Sequence, residues 1–265
     1  MPTVLDTVED GVAIVTMNRP ERLNAMNLEM MDELVETVHR YAYDNSVGCV
    51  VLTGAGKGFS AGGDIKGAAE RHDSDGPRRT QEEAARNLRR CMEVSRLLHE
   101  MEKPTVAAIN GSVAGAALSM ALACDLRVAA SGAKITTAFA KVALSGDYGG
   151  SYFLSRLVGT GKARELYYLS DILTSEDALA LGIVNKVVPK EDVMKESLDW
   201  AHRLASGPRV TLSFMKKNMN LAEEGRLAAS LDQEARFHSR CGYTADSAEA
   251  ARAFVEKRTP NFQGR

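Results

Sequence analysis

The sequence predicts an α/β core over residues 1–190 and an all-helical region over 191–265. Strand-like and helix-like patterns alternate through about residue 190. The strand patterns stop after Val187-Val188-Pro189. A succession of helical patterns follows to the end. Alternation of this kind favours a mostly parallel sheet with right-handed crossovers.

Val12–Met17 is a β-branched run that ends at the turn Asn18-Arg19-Pro20. Leu28–Tyr43 carries Met31, Leu34, Val35 and Val38 at helical spacing. Cys49–Leu52 reads as a buried strand that runs into a Gly-rich loop, Thr53–Gly58. Thr80–Met101 reads as one long helix, with Leu88, Met92, Ser95 and Leu98 on one face and Pro104 beyond its end. Gly76-Pro77, inside charged Arg71–Thr80, marks the flexible-loop candidate. Val106–Ile109 is a strand. Gly111–Gly115 turns into a helix of small residues that reaches about Cys124, and Leu126–Ala129 is a strand again. The C-terminal helices are Glu191–Ala205, Arg209–Ala222, Arg226–Cys241 and Ser247–Lys257, with Gly207-Pro208 and Gly225 as separators.

Bulk properties exclude several classes. With 265 residues and 45% apolar content the chain can bury a sizeable core. A formal charge of −2 offers no global field for nucleic acid. Cys49, Cys91, Cys124 and Cys241 lie far apart, with no CxxC or Cys/His ligand spacing, so neither a metal site nor a disulfide framework is indicated. The N-terminus lacks a secretory pattern, and no apolar run approaches the ~20 residues of a membrane span. A cytoplasmic location with reduced thiols is the expectation.

Two glycine-rich turns carry the chemistry. Ser60-Ala61-Gly62-Gly63-Asp64 follows a strand and opens a helix. Gly115-Ala116-Ala117 starts the small-residue helix. Free N–H groups at such a start, with the helix dipole behind them, attract an anion. Either turn alone could be a tight structural corner.

The stretch Ile109–Gly150, together with Ser60–Lys66 (SAGGDIK), resembles the crotonase family, also called the enoyl-CoA hydratase/isomerase family. Asn18-Arg19-Pro20 with Leu23-Asn24-Ala25-Met26 is similar to that family's first loop, near the adenine end of CoA. Ala180–Pro189 is similar to its last core strand, and Ser206–Pro208 with Lys216 and Phe254–Arg258 to its C-terminal helices. The resemblance implies a ββα spiral core, a helix over Ser151–Val158 after the Asp147 loop, and a C-terminal region that forms trimers, often paired into hexamers. It implies an acyl-CoA thioester substrate and no cofactor beyond the CoA it carries. The backbone N–H groups of Gly63 and Ala116 become the implied oxyanion donors. Ala61, Asp64, Ile65, Phe139, Tyr148, Leu23 and Ala25 become the implied substrate-binding residues. Lys257, Arg258 and Phe262 are weaker candidates for CoA contact, and the Arg-rich stretch Arg86–Arg96 reads as a solvated face.

Hydratases of the family use two glutamates on water. Here the matching positions hold Ser119 and Phe139. Ser119 lies nearly one turn past Ala116 and should face the same cleft, although a packing serine would fit as well. Phe139 cannot move protons and would make the pocket apolar, or simply fill the core. Asp147, eight residues further on, falls where isomerases and aryl-CoA dehalogenases of the family place an aspartate. Next to apolar Phe139 its pKa should rise. Turn or cap chemistry is the structural alternative. The resemblance thus implies an enolate-stabilising enzyme with Asp147 as its single acid/base, isomerase-like. A slow hydratase, a thioester hydrolase or dehalogenase with Asp147 as nucleophile, and a non-catalytic CoA-binding protein are the alternatives.

Overall fold

The structure, a computed structural model, describes residues 2–67 and 80–264. Gly76-Pro77 therefore lies outside the described residues. The main sheet begins with a hairpin of β1 (Val4–Glu9) and β2 (Val12–Met17), paired antiparallel from Val4↔Met17 to Glu9↔Val12. Asp10 and Gly11 both take positive φ, as a two-residue hairpin turn requires. From β2 onward the pairing is parallel through β3 (Cys49–Gly54), β4 (Thr105–Ile109), β6 (Leu126–Ala130) and β9 (Lys186–Val188). The strand order is β1-β2-β3-β4-β6-β9.

Parallel strands covered on both faces are apolar at successive positions, and their side chains alternate between two cores. Val15, Val50, Leu52, Ala107 and Ile109 point to one core. There they meet α1 (Leu28–Tyr43), α3 (Glu93–Glu100) and α4 (Gly115–Ala123). Val12, Cys49, Val51, Val106 and Val128 point to the other, closed by Val193, Ala201 and Ala205 of α7 (Val193–Ala205). The helical region expected from residue 191 thus begins with a helix that belongs to the sheet. Helix α4 is buried at every position. A helix apolar all round needs such surroundings, and its Ala, Gly and Ser residues let neighbours approach.

A smaller sheet, β5 (Val113–Ala114), β7 (Lys134–Thr136) and β8 (Leu173–Thr174), adjoins the start of α4. Other helices among the described residues are α2 (Gln81–Cys91), α5 (Gly150–Leu169), α6 (Ser175–Ala180), α8 (Arg209–Ala222), α9 (Leu227–Gly242) and α10 (Ala245–Glu256).

Two expectations need correction. Thr80–Met101 is two helices that meet at Met92. In α2 only Cys91 is buried, and a capping box between Thr80 and Glu83 starts the helix; α3 buries Val94, Leu97 and Leu98. The sequence period joined them because neither Gly nor Pro marks the junction. The helix expected over Ser151–Val158 continues to Leu169 past a break at Gly159, where φ is 75° and ψ 161°.

Candidate active site

Hydrogen bonds hold the two glycine-rich turns edge to edge. Phe59 N donates to Ser112 O at 3.1 Å and Ala114 N to Ser60 O at 3.1 Å. On its other side the loop is strapped to the segment after Pro20: Ala61 N reaches Leu23 O at 2.9 Å, Met26 N reaches Gly62 O at 2.8 Å, and Asp64 N reaches Met26 O at 3.0 Å. Ser60 Oγ donates to Asn24 O at 2.7 Å and accepts from Gly62 N at 3.1 Å. Only glycine fits at 62. Its φ is +87°, and a Cβ there would fall 2.7 Å from Ala114 O and 3.6 Å from Ala116 N.

That packing sets Gly62, the residue before Gly63, against the start of α4. The N–H of Gly63 donates to no acceptor among the described residues, nor does that of Ala116 in the first turn of α4. Two free amides, one backed by a helix dipole, can hold an oxygen that develops negative charge.

A short way along α4, Ser119 Oγ lies 3.4 Å from Gly115 O, at the limit of a hydrogen bond. The ring of Phe139 stacks on Tyr167 with centroids 5.7 Å apart and planes 21° off parallel. It also lies against the start of α4, since a Cβ on Gly115 would be 3.8 Å from Phe139 Cε1. Tyr167 comes from the second half of α5 and fits only because its neighbours are glycines. A Cβ on Gly146 would sit 2.8 Å from Tyr167 Cε1. One on Gly150 would sit 2.4 Å from Tyr167 Oη and 2.2 Å from Ser119 Oγ. Gly150→Ala should therefore lose about 1–3 kcal/mol by overpacking, read as a lower thermal midpoint with a changed tyrosine signal in near-ultraviolet dichroism. A parental midpoint and signal would mean that the corner has room.

Asp147 sits between Gly146 and the buried Tyr148. Its Oδ1 is buried and has no hydrogen-bond partner among the described residues. Burial, with no offsetting bond, pushes its carboxyl up to about 6. Helix α5 is capped by Gly149, with no side-chain cap, so Asp147 does not serve as one. Burial also raises the Tyr167 hydroxyl, with the Asp147 charge adding to the rise and Ser119 tempering it, to about 12.

Other expected residues are placed differently. Asp64 is engaged within the protein: its carboxylate accepts from Gly67 N at 2.9 Å and pairs with Arg19 Nη1 at 3.0 Å. The Gly67 bond, aided by Arg19, holds it below the usual carboxylate range. Its carboxylate fastens the loop. Tyr148, at φ +51°, is fully buried and donates its hydroxyl to Met31 Sδ. It anchors the Asp147 loop to α1. Leu23 and Ile65 are exposed, as is Ala61; Ala25 is half-buried. Arg258 pairs with Glu249 and Glu256, and Lys257 ends α10 in the left-handed conformation. Phe262 lines a cavity with Phe214 and Phe237. Tyr167 is the site residue that sequence reasoning missed.

The family model for enoyl-CoA hydratase/isomerase matches residues 7–265. The chain is 36% identical to 1,2-epoxyphenylacetyl-CoA isomerase of Escherichia coli (strain K12), with 100% of both chains covered. It is 34% identical to short-chain-enoyl-CoA hydratase of Clostridium acetobutylicum, over 94% of this chain and 93% of that one. Among solved structures, an enoyl-CoA hydratase from Polaromonas sp. JS666 superposes with a TM-score of 0.90 at 31% identity, covering 98% of this chain and 99% of that one. An enoyl-CoA hydratase from Bacillus anthracis gives 0.91 at 27% identity, covering 99% and 100%.

Proposed function

Because the chain belongs to the enoyl-CoA hydratase/isomerase family and has its crotonase fold, we propose that it is an isomerase of enoyl-CoA thioesters with Asp147 as single acid/base. The observation that carries this reading is the buried, unpartnered Oδ1 of Asp147, beside side chains that cannot titrate usefully. The thioester oxygen would sit on Gly63 N and Ala116 N, each such donor being worth about 3–4 kcal/mol as charge develops. The Asp147 carboxylate takes a proton from the carbon next to the thioester or from the one vinylogous to it. The resulting enolate spreads its charge onto that oxygen, and the same carboxyl returns the proton at the other position. One group suffices because the proton removed is the proton returned. No cofactor beyond the CoA of the substrate is required.

Hydration needs one group to activate water and another to protonate carbon. Ser119 lacks a base partner and Phe139 lacks a proton. The E. coli relative is named for an isomerisation of a CoA thioester, and the clostridial one for hydration. Exposed Leu227, Tyr243, Phe254 and Val255 on the last helices support assembly into a trimer or a dimer of trimers as part of the same reading.

A panel of enoyl-CoA thioesters tests it. Incubation should shift the ultraviolet spectrum of at least one substrate without changing its mass. Crotonyl-CoA should gain water very slowly, since each missing acid or base typically costs about 10²–10⁴-fold. Fast gain of one water would replace the isomerase reading by hydration, and release of free CoA would replace it by hydrolysis. Calorimetry with a saturated acyl-CoA should show binding in every case.

A further inference from the structure

Two buried polar atoms meet where the start of α5 packs on α4, with the Ser119 side chain beside one of them. Tyr167 Oη and Asp147 Oδ1 are both buried without a hydrogen-bond partner among the described residues. A buried group left unpaired costs about 1–3 kcal/mol, and native structures keep such groups few. These two share one corner. Gly146, the residue before Asp147, lies under the Tyr167 ring, and Gly150 packs between Tyr167 Oη and Ser119 Oγ. The stack on Phe139 fixes the ring, so Oη has a defined direction.

Building on the enoyl-CoA reading above, we propose that Tyr167 Oη, Ser119 Oγ and Asp147 Oδ1 form a polar subsite that selects acyl groups bearing an uncharged oxygen, a hydroxyl or a carbonyl. The chemistry of the three atoms sets this class. A tyrosine hydroxyl that stays protonated at neutral pH donates, so the ligand atom must accept. An ionised Asp147 only accepts, so a ligand hydroxyl satisfies both partners at once. An anionic acyl chain would repel Asp147 and finds no cation among these residues. A wholly hydrocarbon chain would leave both protein atoms unpaired. Sites built to bond a ligand hydroxyl discriminate against ligands without it for this reason.

The test uses saturated, length-matched thioesters, which have no double bond to move: butanoyl-CoA against 3-hydroxybutanoyl-CoA, and pentanoyl-CoA against 4-oxopentanoyl-CoA. Calorimetry on the parent should show the oxygenated member of at least one pair binding about five- to tenfold tighter, the gain of one or two hydrogen bonds to buried partners. Tyr167→Phe keeps the stack on Phe139 and removes only the hydroxyl. It should cut that preference to under about twofold, chiefly by letting the hydrocarbon member bind as well as or better than in the parent, since the hydroxyl that it leaves unpaired is gone. A merely structural tyrosine would weaken both members together. Equal affinities within both pairs for the parent would overturn the proposal, and so would a preference that survives in Tyr167→Phe. The parent comparison stands whether or not the variant folds. The 4-oxopentanoyl pair has no water to lose, so it measures binding without turnover even if hydration replaces the isomerase reading; loss of one water from 3-hydroxybutanoyl-CoA, read by mass, would bear on that reading alone.

Discussion

Asp147→Asn should lower turnover by about 10²–10⁴-fold, the usual value of a general acid or base, while CoA-thioester affinity stays within a fewfold. Asparagine keeps the size and turn compatibility of the side chain and loses its titration. The same variant should be more stable than the parent at neutral pH. Burial raises the carboxyl of Asp147 to about 6, above the ordinary carboxylate value, so folding favours its protonated form. That contribution is fully present below about pH 4 and is lost as pH rises through about 6. With the ordinary carboxylate near 3.9, ionised Asp147 costs the parent roughly 2–3 kcal/mol above pH 7. Asparagine carries no such cost. Its higher thermal midpoint should show at pH 8 and vanish near pH 4. In the parent, a base that must be ionised makes activity climb as pH rises through about 6. Turnover retained within a fewfold in Asp147→Asn would leave the enzyme without its acid. An unchanged stability difference from pH 4 to pH 8 would mean that the carboxyl is not buried as described.

A residue can cost stability in this way when function requires it. The neighbourhood has further marks of the same kind. Tyr148 is held at φ +51° between two left-handed glycines, Gly146 and Gly149, and is pinned by Met31. Strained backbone of this sort persists where surrounding structure over-determines it. Here it holds Asp147 close enough to Tyr167 for the carboxylate charge to raise the phenol.

What the sequence reveals follows from how local each feature is. The β-branched runs of β2, β3 and β4 are legible because both faces of a parallel sheet are buried. Strand β1 is not, because it is an edge strand in which only Val4 is buried, so no alternation marks it. Gly63, Ala116 and Asp147 stand in short glycine-rich segments, which is what singles them out as candidates in the sequence. Tyr167 lies in Glu165–Ser170, which reads as an ordinary helix end. Its place in the pocket depends on the break at Gly159 and on glycines at 146 and 150. The role of Asp64 inside the protein is hidden for a similar reason, because its partner Arg19 lies 45 residues away in the chain.

Lys216→Met should cost about 3 kcal/mol of folding stability, the lower end for breaking a buried ion pair. Lys216 is nearly inaccessible on α8, and its Nζ donates to Leu98 O at 2.8 Å, Lys103 O at 3.0 Å and Asp125 Oδ2 at 2.8 Å. It is thus a three-way pin between α8, the end of α3 and the entry to β6. Methionine matches its length and apolar stem but supplies no donor, leaving two carbonyls without that bond. The loss is held to the lower end because Asp125 keeps Thr105 N at 2.7 Å and Thr105 Oγ1 at 2.9 Å, and its side chain is 28% exposed. Urea unfolding followed by the single tryptophan, Trp200 on α7, would measure the loss. Adding Asp125→Asn should restore part of it, because an amide tolerates the missing cation better than a carboxylate does. A loss below about 1 kcal/mol, the ordinary value of an exposed pair, would show that the pin carries no more than a surface salt bridge. A double variant as unstable as the sum of the single ones would show that the two side chains act independently.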